Sequence, residues 1–556
     1  MQKLSNGVAN YEDLIKENRI YVDKTNYIEK MEQLPDKTLM FLRPRKFGKT
    51  LFTSTLECYY DKNKENKFDE LFKNTYIGKN PTKNKNRYCI LRFNFSGIST
   101  ETLEETRKGF NREVASSIEL FVGKYKMDFF VNRNDEAEGI LDNLFKAFLL
   151  QKPNDKIYVI IDEYDHFANE LLGFRTDEFK NLLAKNGKIR KWYEILKKGT
   201  ETVVDRIFIT GVAPITLDST TSGFNIARDI TKNIEFNDML GFSTEDVKYI
   251  MTQIEIPKEK QKELLPIMKI NYDGYVFSDM IRENIENYKL YNSNMTLYFL
   301  NLYQEQNRVP EELVDINILS DYSKIEAFMD LCQSMNKLEL LEKIVSGEDI
   351  ESTLTEKFNV EIEFGEKELI SLLFYLGYLT IKEKGFSKCK FQIPNDVIRE
   401  IYSNYFLEYI SRKANINTDS IDTEAINREL LLEGNISKLL DVLKIFLENL
   451  SNRDYCKFDE KYVKVIFYTI CRMLGTVYVK SELEVNGRYA DLLLIPKENI
   501  QERYGILIEF KYIKQEQAKL QLRDYMNSNE IKMIPNLRGY SVVVIKDRIE
   551  VEEIIL

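Results

Sequence analysis

At 556 residues the chain is too long for one ordinary hydrophobic core, and roughly two to four domains are expected. Its 43% hydrophobic and 30% charged residues read as a soluble globular protein, and 11 prolines with 23 glycines leave little room for long disordered linkers. A net charge of −10 argues against nucleic-acid binding over the whole surface, because neutralising phosphates supplies that affinity, and leaves room only for a local basic groove. The single histidine, His166, removes Ser-His-Asp triads, two-histidine metalloproteases and histidine-rich metal phosphohydrolases as candidates. Any catalysis must then rest on carboxylates, lysines, arginines and hard metal ions. The six cysteines are scattered without a C-x-x-C pair, which argues against a zinc cluster or a disulfide framework and suits a reducing cytoplasm. No apolar run reaches the roughly 20 residues of a membrane span. The stretch "MQKLSNGVANYEDLIKENR" has no apolar signal-peptide core, so the expected location is cytoplasmic, with no membrane partner.

In chain order, "KTLMFLR" (37–43) is an apolar run that suits a buried strand, and "TLFTSTLECYYD" (50–61) has apolar residues at helical spacing. Between them "RPRKFGKT" (43–50) ends as a phosphate-binding loop does, although the fingerprint G-x-x-x-x-G-K-[ST] places glycine where Arg43 stands. In such a loop backbone N–H groups face phosphate oxygens, Lys49 reaches the terminal phosphates, Thr50 offers a hydroxyl to Mg2+, and Gly48 permits close approach. Pro44 stiffens the entry, and Arg45 and Lys46 add positive charge beside it. Taken alone, Gly-Lys-Thr is weak evidence. "RYCILRFNFSGI" (87–98) reads as a second strand and 137–150 as a helix. "DKIYVIIDEYD" (155–165) reads as a third strand ending in acids, where Asp162 suits Mg2+ and Glu163 suits polarising an attacking water. Residues 175–199 read as helical, and "DRIFITGVAPI" (205–215) as a fourth strand with Thr210 placed to sense a terminal phosphate. The alternation predicts a doubly wound α/β domain with its ligand beyond the strand carboxyl ends. The basic run 180–199, which holds the only tryptophan, Trp192, and the basic loop 78–87 read as solvated faces ahead of nucleic-acid contacts.

Residues 243–300 read as helical, opening with Ser243 as a cap and Asp246 three residues on. "YDGYVF" (272–277) reads as a packing corner around Gly274. Residues 366–412 read as helix, short hairpin, helix, a winged-helix-like piece whose acidic surroundings favour a lid or packing role over DNA binding. Further on, "ADLLLI" (490–495) and "YGILIEFKY" (504–512) are apolar strands around a polar loop. An antiparallel hairpin there sets Asp491 opposite about Glu509, and Lys511, two residues on, projects from the same face. Two carboxylates and an ammonium make a hard-cation site in which Asp491 and Glu509 hold Mg2+, or Mn2+, and Lys511 orients water or steadies charge on phosphorus. Glu482, Arg488 and Gln521 are supporting candidates, Gln521 from the helix "AKLQLRDYMN" (518–527). The plain alternative is an ordinary hairpin with E-x-K as a surface pair.

The ordered stretches "YVDKTNYIEKM", "RPRKFGKTL", "FNFSGI", "IIDEYD", "ITGVAPI", "TSGFNIARDIT" and "YDGYVF" resemble the bacterial and archaeal AAA-ATPase-like family, which commonly carries a C-terminal PD-(D/E)xK nuclease-like domain. Its loop is typically R-P-R-R-F-G-K-T, so Arg43 fits the family and Lys46 replaces its usual arginine. The resemblance implies an ATPase domain at 1–241, a helical lid and winged-helix-like region at 242–412, and a nuclease-like domain at 413–556. It implies ATP held by Arg43, Pro44, Arg45, Lys46, Phe47, Gly48, Lys49, Thr50 and Thr210. It implies Mg2+ at Thr50 and Asp162, with Glu163 catalytic, and Asp491, Glu509 and Lys511 cutting phosphodiester bonds, with DNA as the expected partner. Such ATPases often assemble so that a neighbour supplies an arginine finger, so a homo-oligomer is expected, with Arg228 a candidate finger. Two rival readings stand beside this one. The chain is a nucleotide-switched interaction protein with a degenerate nuclease fold, or an ATPase whose C-terminal fold binds nucleic acid without cutting it.

Overall fold

The structure, a computed structural model, describes residues 3–4, 7–166, 188–214, 226–310, 312–314, 325–330, 337–358, 364–450, 460–485, 488–497, 503–512, 515–528, 531, 534, 536–545 and 548–554. It divides into two compact units, Met1–Met335 with Asp349–Val397, and Asn336–Glu348 with Ile398–Leu556.

The first unit is built on a five-stranded sheet of β1 (Thr38–Leu42), β2 (Tyr88–Asn94), β3 (Lys156–Asp162), β4 (Val204–Gly211) and the two-residue β5 (Arg228–Asp229). The order is β2-β3-β4-β1-β5, and every pair is parallel. After Lys156, β3 is buried throughout, as a parallel strand covered on both faces must be. The four long strands fall where the apolar runs place them, and the loop between β1 and the helix Lys49–Tyr60 follows directly. The helices Leu103–Tyr125, Ala137–Gln151 and Lys188–Gly199 complete the α/β alternation.

Trp192 is fully buried, edge-on to Phe93, Phe95, Phe110 and Tyr193. The basic run is therefore an amphipathic helix anchored by an aromatic core, and its tryptophan is not presented to a nucleic-acid backbone. Residues 180–187 of that run, and the helical reading of 175–187, lie outside the described residues.

In the same unit Ser243 and Asp246 form a reciprocal capping box at the start of the helix Thr244–Gln253. The 272–277 corner is packed, with Tyr272, Tyr275, Val276 and Phe277 buried. Gly274 sits at φ +106°, and a Cβ there would lie 2.0 Å from the Pro394 carbonyl oxygen, so only glycine fits. The helix Glu366–Tyr375 and the hairpin of β7 (Thr380–Lys384) and β8 (Cys389–Gln392) follow, and the next helix in the chain, Asp396–Ala414, belongs from Ile398 on to the second unit. A short β6 (Ile350–Ser352) adds a third strand beside β8, which the sequence did not suggest.

The second unit carries the helix Glu460–Met473 and a mixed sheet of β9 (Val477–Val485), β10 (Arg488–Pro496), β11 (Gly505–Tyr512), β12 (Leu537–Ile545) and β13 (Arg548–Ile554). The order is β13-β12-β11-β10-β9, with only β11 and β12 parallel. That parallel pair needs a crossover, and the helix Gln515–Met526 supplies it. Leu522, Tyr525 and Met526 from this helix pack on Ala490, Leu493 and Leu507 of the sheet. Among the described residues no helix is long and apolar enough to cross a membrane.

Candidate functional site

Two constellations carry chemistry, one in each unit. In the first, Arg43 extends the β1–β4 ladder, donating its backbone N–H to the Gly211 carbonyl at 3.1 Å. The chain turns later than the fingerprint implies, with left-handed residues at Lys46 (φ 68°) and Gly48 (φ 92°). Position 43 needs no glycine because no left-handed turn falls there. Left-handed residues at alternate positions are what an anion-binding nest requires, a turn in which successive N–H groups converge. The helix Lys49–Tyr60 begins at the last of them, so its positive N-terminal end faces the same place.

The side chains of this loop divide into two groups. Lys49 is buried, and its ammonium donates to the carbonyls of Arg43 and Pro44, each at 3.0 Å. Burial lowers its pKa, against the attraction of Glu163, Asp165 and Asp162. Arg43 corrects an expectation, because its side chain does not serve the ligand site. The guanidinium is 1% exposed and donates to four backbone carbonyls, those of Leu42 (2.8 Å), Thr231 (3.0 Å), Phe236 (2.9 Å) and Asn237 (2.9 Å). It lies 4.1 Å and 4.2 Å from the ring centroids of Phe41 and Phe277. Phe47 packs edge-on to Tyr275 and Phe277 at 5.0 and 5.3 Å and also lines the cavity. Arg45, Lys46, Phe47, Gly48, Lys49 and Thr50 line the cavity, and Pro44 packs against Gly377.

Asp162 closes β3 fully buried. One carboxylate oxygen accepts from the Thr53 hydroxyl at 3.3 Å and lies 3.5 Å from Arg92, and the other has no partner among the described residues. Burial and the neighbouring Glu163 raise its pKa, opposed by the charges of Arg92 and Lys49. Glu163 holds a left-handed φ of 51°, a strained setting for a non-glycine residue. Its carboxylate lies 3.4 Å from the imidazole of His166. Burial would raise its pKa, but His166, Lys49 and Arg45 outweigh that and hold it low.

The next two residues of the motif act as a clasp that the sequence did not reveal. Tyr164 donates from its N–H to the Thr210 carbonyl and from its hydroxyl to the Ala213 carbonyl, at 3.1 and 2.7 Å. Buried Asp165 accepts the N–H groups of Val212 and Ala213, the shortest contact being 2.7 Å. A Cβ at Gly211 would lie 2.2 Å from that carboxylate, which requires glycine there. The clasp fixes the end of β4 beside the end of β3. Thr210 is 1% exposed, and its hydroxyl has no partner among the described residues. Arg228 pairs with Asp36 at 2.8 Å.

A cavity of about 540 Å3 opens over the loop. Its lining includes residues 45–50 with Glu163 and His166. It also includes the apolar residues Val8, Ile20, Val22, Leu240, Phe242 and Leu297. Sequence reasoning missed these apolar residues, since they come from three separated segments without a shared motif. Ser293 and Asn294, which open the helix Ser293–Gln306, also line it, and the Asn294 N–H donates to the Lys46 carbonyl at 3.2 Å.

In the second unit the β10–β11 register pairs Leu492 with Ile508 and Leu493 with Leu507, which sets Asp491 opposite Glu509 as the hairpin argument requires. The Asp491 N–H donates to Glu509 Oε2 at 3.4 Å, and Lys511 Nζ donates to Glu509 Oε1 at 3.0 Å. The Phe510 N–H donates to Asp491 Oδ2 at 2.7 Å. Two residues that sequence reading passed over join them. Lys464 donates to Asp491 Oδ1 at 2.6 Å and pairs with Glu460 at 2.7 Å, and Glu460 lies 3.9 Å from Lys511. Their only sequence signal is an E-x-x-x-K step on one helix, which is common. Burial would lower the Lys464 pKa, but Asp491 and Glu460 hold it up. Among the described residues no group of three or more His, Cys, Asp or Glu is placed to hold a metal. Asp491 and Glu509 are two oxygen-donor carboxylates on facing positions of adjacent strands, a partial set suited to a hard cation that keeps several waters. Gln521 has a buried side-chain oxygen without a partner among the described residues. The β9–β10 register brackets Glu482 opposite Asp491 along the backbone, while the side chains of Glu482 and Arg488 lie outside what is described.

Glu509 is 2% exposed, and burial with the charge of Asp491 pushes its pKa up from 4.5 to about 7, against the pull of Lys511. The folded state therefore binds its proton more tightly than the unfolded chain, and metal-free stability falls as pH rises from 4.5 towards 7. Glu509→Gln should remove this part of the pH dependence. Thermal melts of metal-free protein at pH 5 and pH 8 should show a smaller drop for the variant than for wild type, and equal drops would contradict the assignment.

Comparison with known proteins places these constellations. Residues 5–221 match the family described as predicted AAA-ATPase, and residues 458–555 match the PD-(D/E)XK nuclease superfamily. No curated protein matches. Among solved structures the chain is similar to the ORC2 protein of Aeropyrum pernix, solved as ADPNP and ADP complexes, at 14% identity over 72% of this chain and 94% of that one, with a TM-score of 0.31. It is also similar to a signal-transduction ATPase with numerous domains and a tetratricopeptide repeat sensor from Pyrococcus horikoshii, at 13% identity over 83% and 59% of the two chains, TM-score 0.23. At those scores neither likeness carries an argument, and the architecture rests on strand order and register.

Proposed function

From a chain that carries both modules of the AAA-ATPase-like family with a C-terminal PD-(D/E)XK domain, we propose an ATP-binding and ATP-hydrolysing protein joined to a metal-dependent phosphodiesterase that acts on DNA. We take 1–241 as the ATPase, 242–412 as its lid and winged-helix-like region, and 413–556 as the nuclease. The observation that carries the reading is the convergence of Asp491, Glu509 and Lys511 on adjacent strands inside the matched nuclease region.

In the first module the loop N–H groups and Lys49 receive the phosphates, and the apolar residues of the cavity lining suit a planar base. Thr50 and Asp162 would hold Mg2+, which fits the unpartnered Asp162 oxygen. Glu163, kept anionic by its neighbours, polarises the attacking water, and the unpartnered Thr210 hydroxyl senses the terminal phosphate. In the second module Asp491 and Glu509 would hold Mg2+ or Mn2+, with Glu482, Arg488 and Gln521 in support. The ion supplies Lewis acidity and a lowered pKa for water. Lys511, held beside the pair by Glu509, orients the nucleophile and neutralises charge developing on phosphorus. The free, buried Cys58, Cys89, Cys389 and Cys471 suit a reducing cytoplasm as the place of action.

The test is a cleavage panel over single- and double-stranded DNA and RNA, with Mg2+ or Mn2+, with and without ATP. Cutting that needs the ion supports the reading, and ATP turnover without any cutting contradicts its second half. Lys49→Ala should abolish nucleotide binding in a filter or fluorescence assay and leave metal-dependent cutting in place. Nucleotide binding at wild-type strength would contradict the loop's assignment.

A further inference from the structure

Lys464 stands in an unusual place for a site that takes a cation. Its ammonium is 2.6 Å from Asp491 Oδ1, while Asp491 Oδ2 already accepts the Phe510 N–H at 2.7 Å. Both oxygens of the carboxylate are therefore engaged, one by a positive charge. The pair is mostly sheltered, with side-chain exposures of 29% and 12%. A divalent ion and an ammonium cannot share that oxygen closely, because like charges a few ångströms apart repel by several kcal/mol at an effective dielectric of about 20.

We propose that Lys464 is a built-in competitor for the divalent ion, neutralising Asp491 until the ion displaces it and thereby setting the ion concentration at which the site loads. The inference rests on the reading of Asp491 and Glu509 as ion ligands. Displacement has an endpoint already in place. Glu460, one helical turn before Lys464, accepts the same ammonium at 2.7 Å, so the lysine can leave Asp491 without becoming an unpaired buried charge. The arrangement also balances charge in the metal-free site, where Lys464 donates to Asp491 and Lys511 to Glu509. Lys464 is on this account a positioning residue that acts through Asp491.

The experiment is calorimetric titration of the full chain with Mn2+ alone, without nucleotide or nucleic acid. Lys464→Met and Lys464→Gln should each bind Mn2+ at least tenfold more tightly than wild type, and Lys464→Arg, which keeps the charge, should bind no more tightly. Lys464→Gln keeps a hydrogen-bond donor to Asp491, so it reports even if the methionine variant does not fold. Asp491→Asn should lose the binding event. Unchanged or weaker Mn2+ affinity in the glutamine variant, with the event still lost in Asp491→Asn, would overturn the proposal and leave the ion-site reading standing. An event that persists in Asp491→Asn would overturn both.

Discussion

Lys511→Ala is expected to lower metal-dependent cutting about a hundred- to a thousandfold, the range found when one preorganised charge-stabilising donor is removed. The ammonium is held at 3.0 Å by Glu509 and is 19% exposed, so it reaches solvent while its base is fixed. Alanine leaves both carboxylates in place, and Mn2+ affinity should change much less than rate. Nucleotide binding should be unaffected, because the loop that carries it belongs to the other matched region. Rate constants at saturating Mn2+, measured beside Mn2+ affinity and ATP affinity, separate these effects. An undiminished rate would show that Lys511 is a surface partner of Glu509 and nothing more.

Arg43→Ala is expected to destabilise the first unit by about 3–5 kcal/mol, the usual cost of truncating a large buried side chain to alanine. The substitution leaves four carbonyl oxygens without their donor and opens the space between the rings of Phe41 and Phe277. Lysine should not rescue it, since one ammonium cannot replace a planar fork that serves four acceptors and stacks on two rings. The readout that matters is melting temperature set beside ATP affinity. A structural role predicts a large fall in melting temperature for Arg43→Ala, with any loss of ATP affinity following from it. Normal melting with ATP affinity lost would return Arg43 to the phosphate site.

The contrast between these two residues shows where sequence reading succeeds. β1, β3 and β4 and the loop were legible because a parallel strand buried on both faces is a continuous apolar run, and each is bounded by polar residues. The Asp491–Glu509 pairing was legible because a hairpin's register follows by counting back from its turn. The destination of Arg43 was not legible, since its acceptors at Phe236 and Asn237 are close only after the chain has crossed the whole sheet. Asp165 looked like one more acid after a strand, and only the neighbouring end of β4 makes it a clasp. Glu460 and Lys464 looked like an ordinary helical pair until β10 was set beside them. β5, at two residues, is too short to carry a pattern.

The central claim is that Asp491 and Glu509 hold one divalent ion. The most direct measurement is an anomalous difference map from a crystal of the full chain soaked in Mn2+. The account predicts a single strong peak about 2.1 Å from oxygens of both carboxylates. A map with no peak there, under conditions in which the same protein cuts nucleic acid, would contradict it.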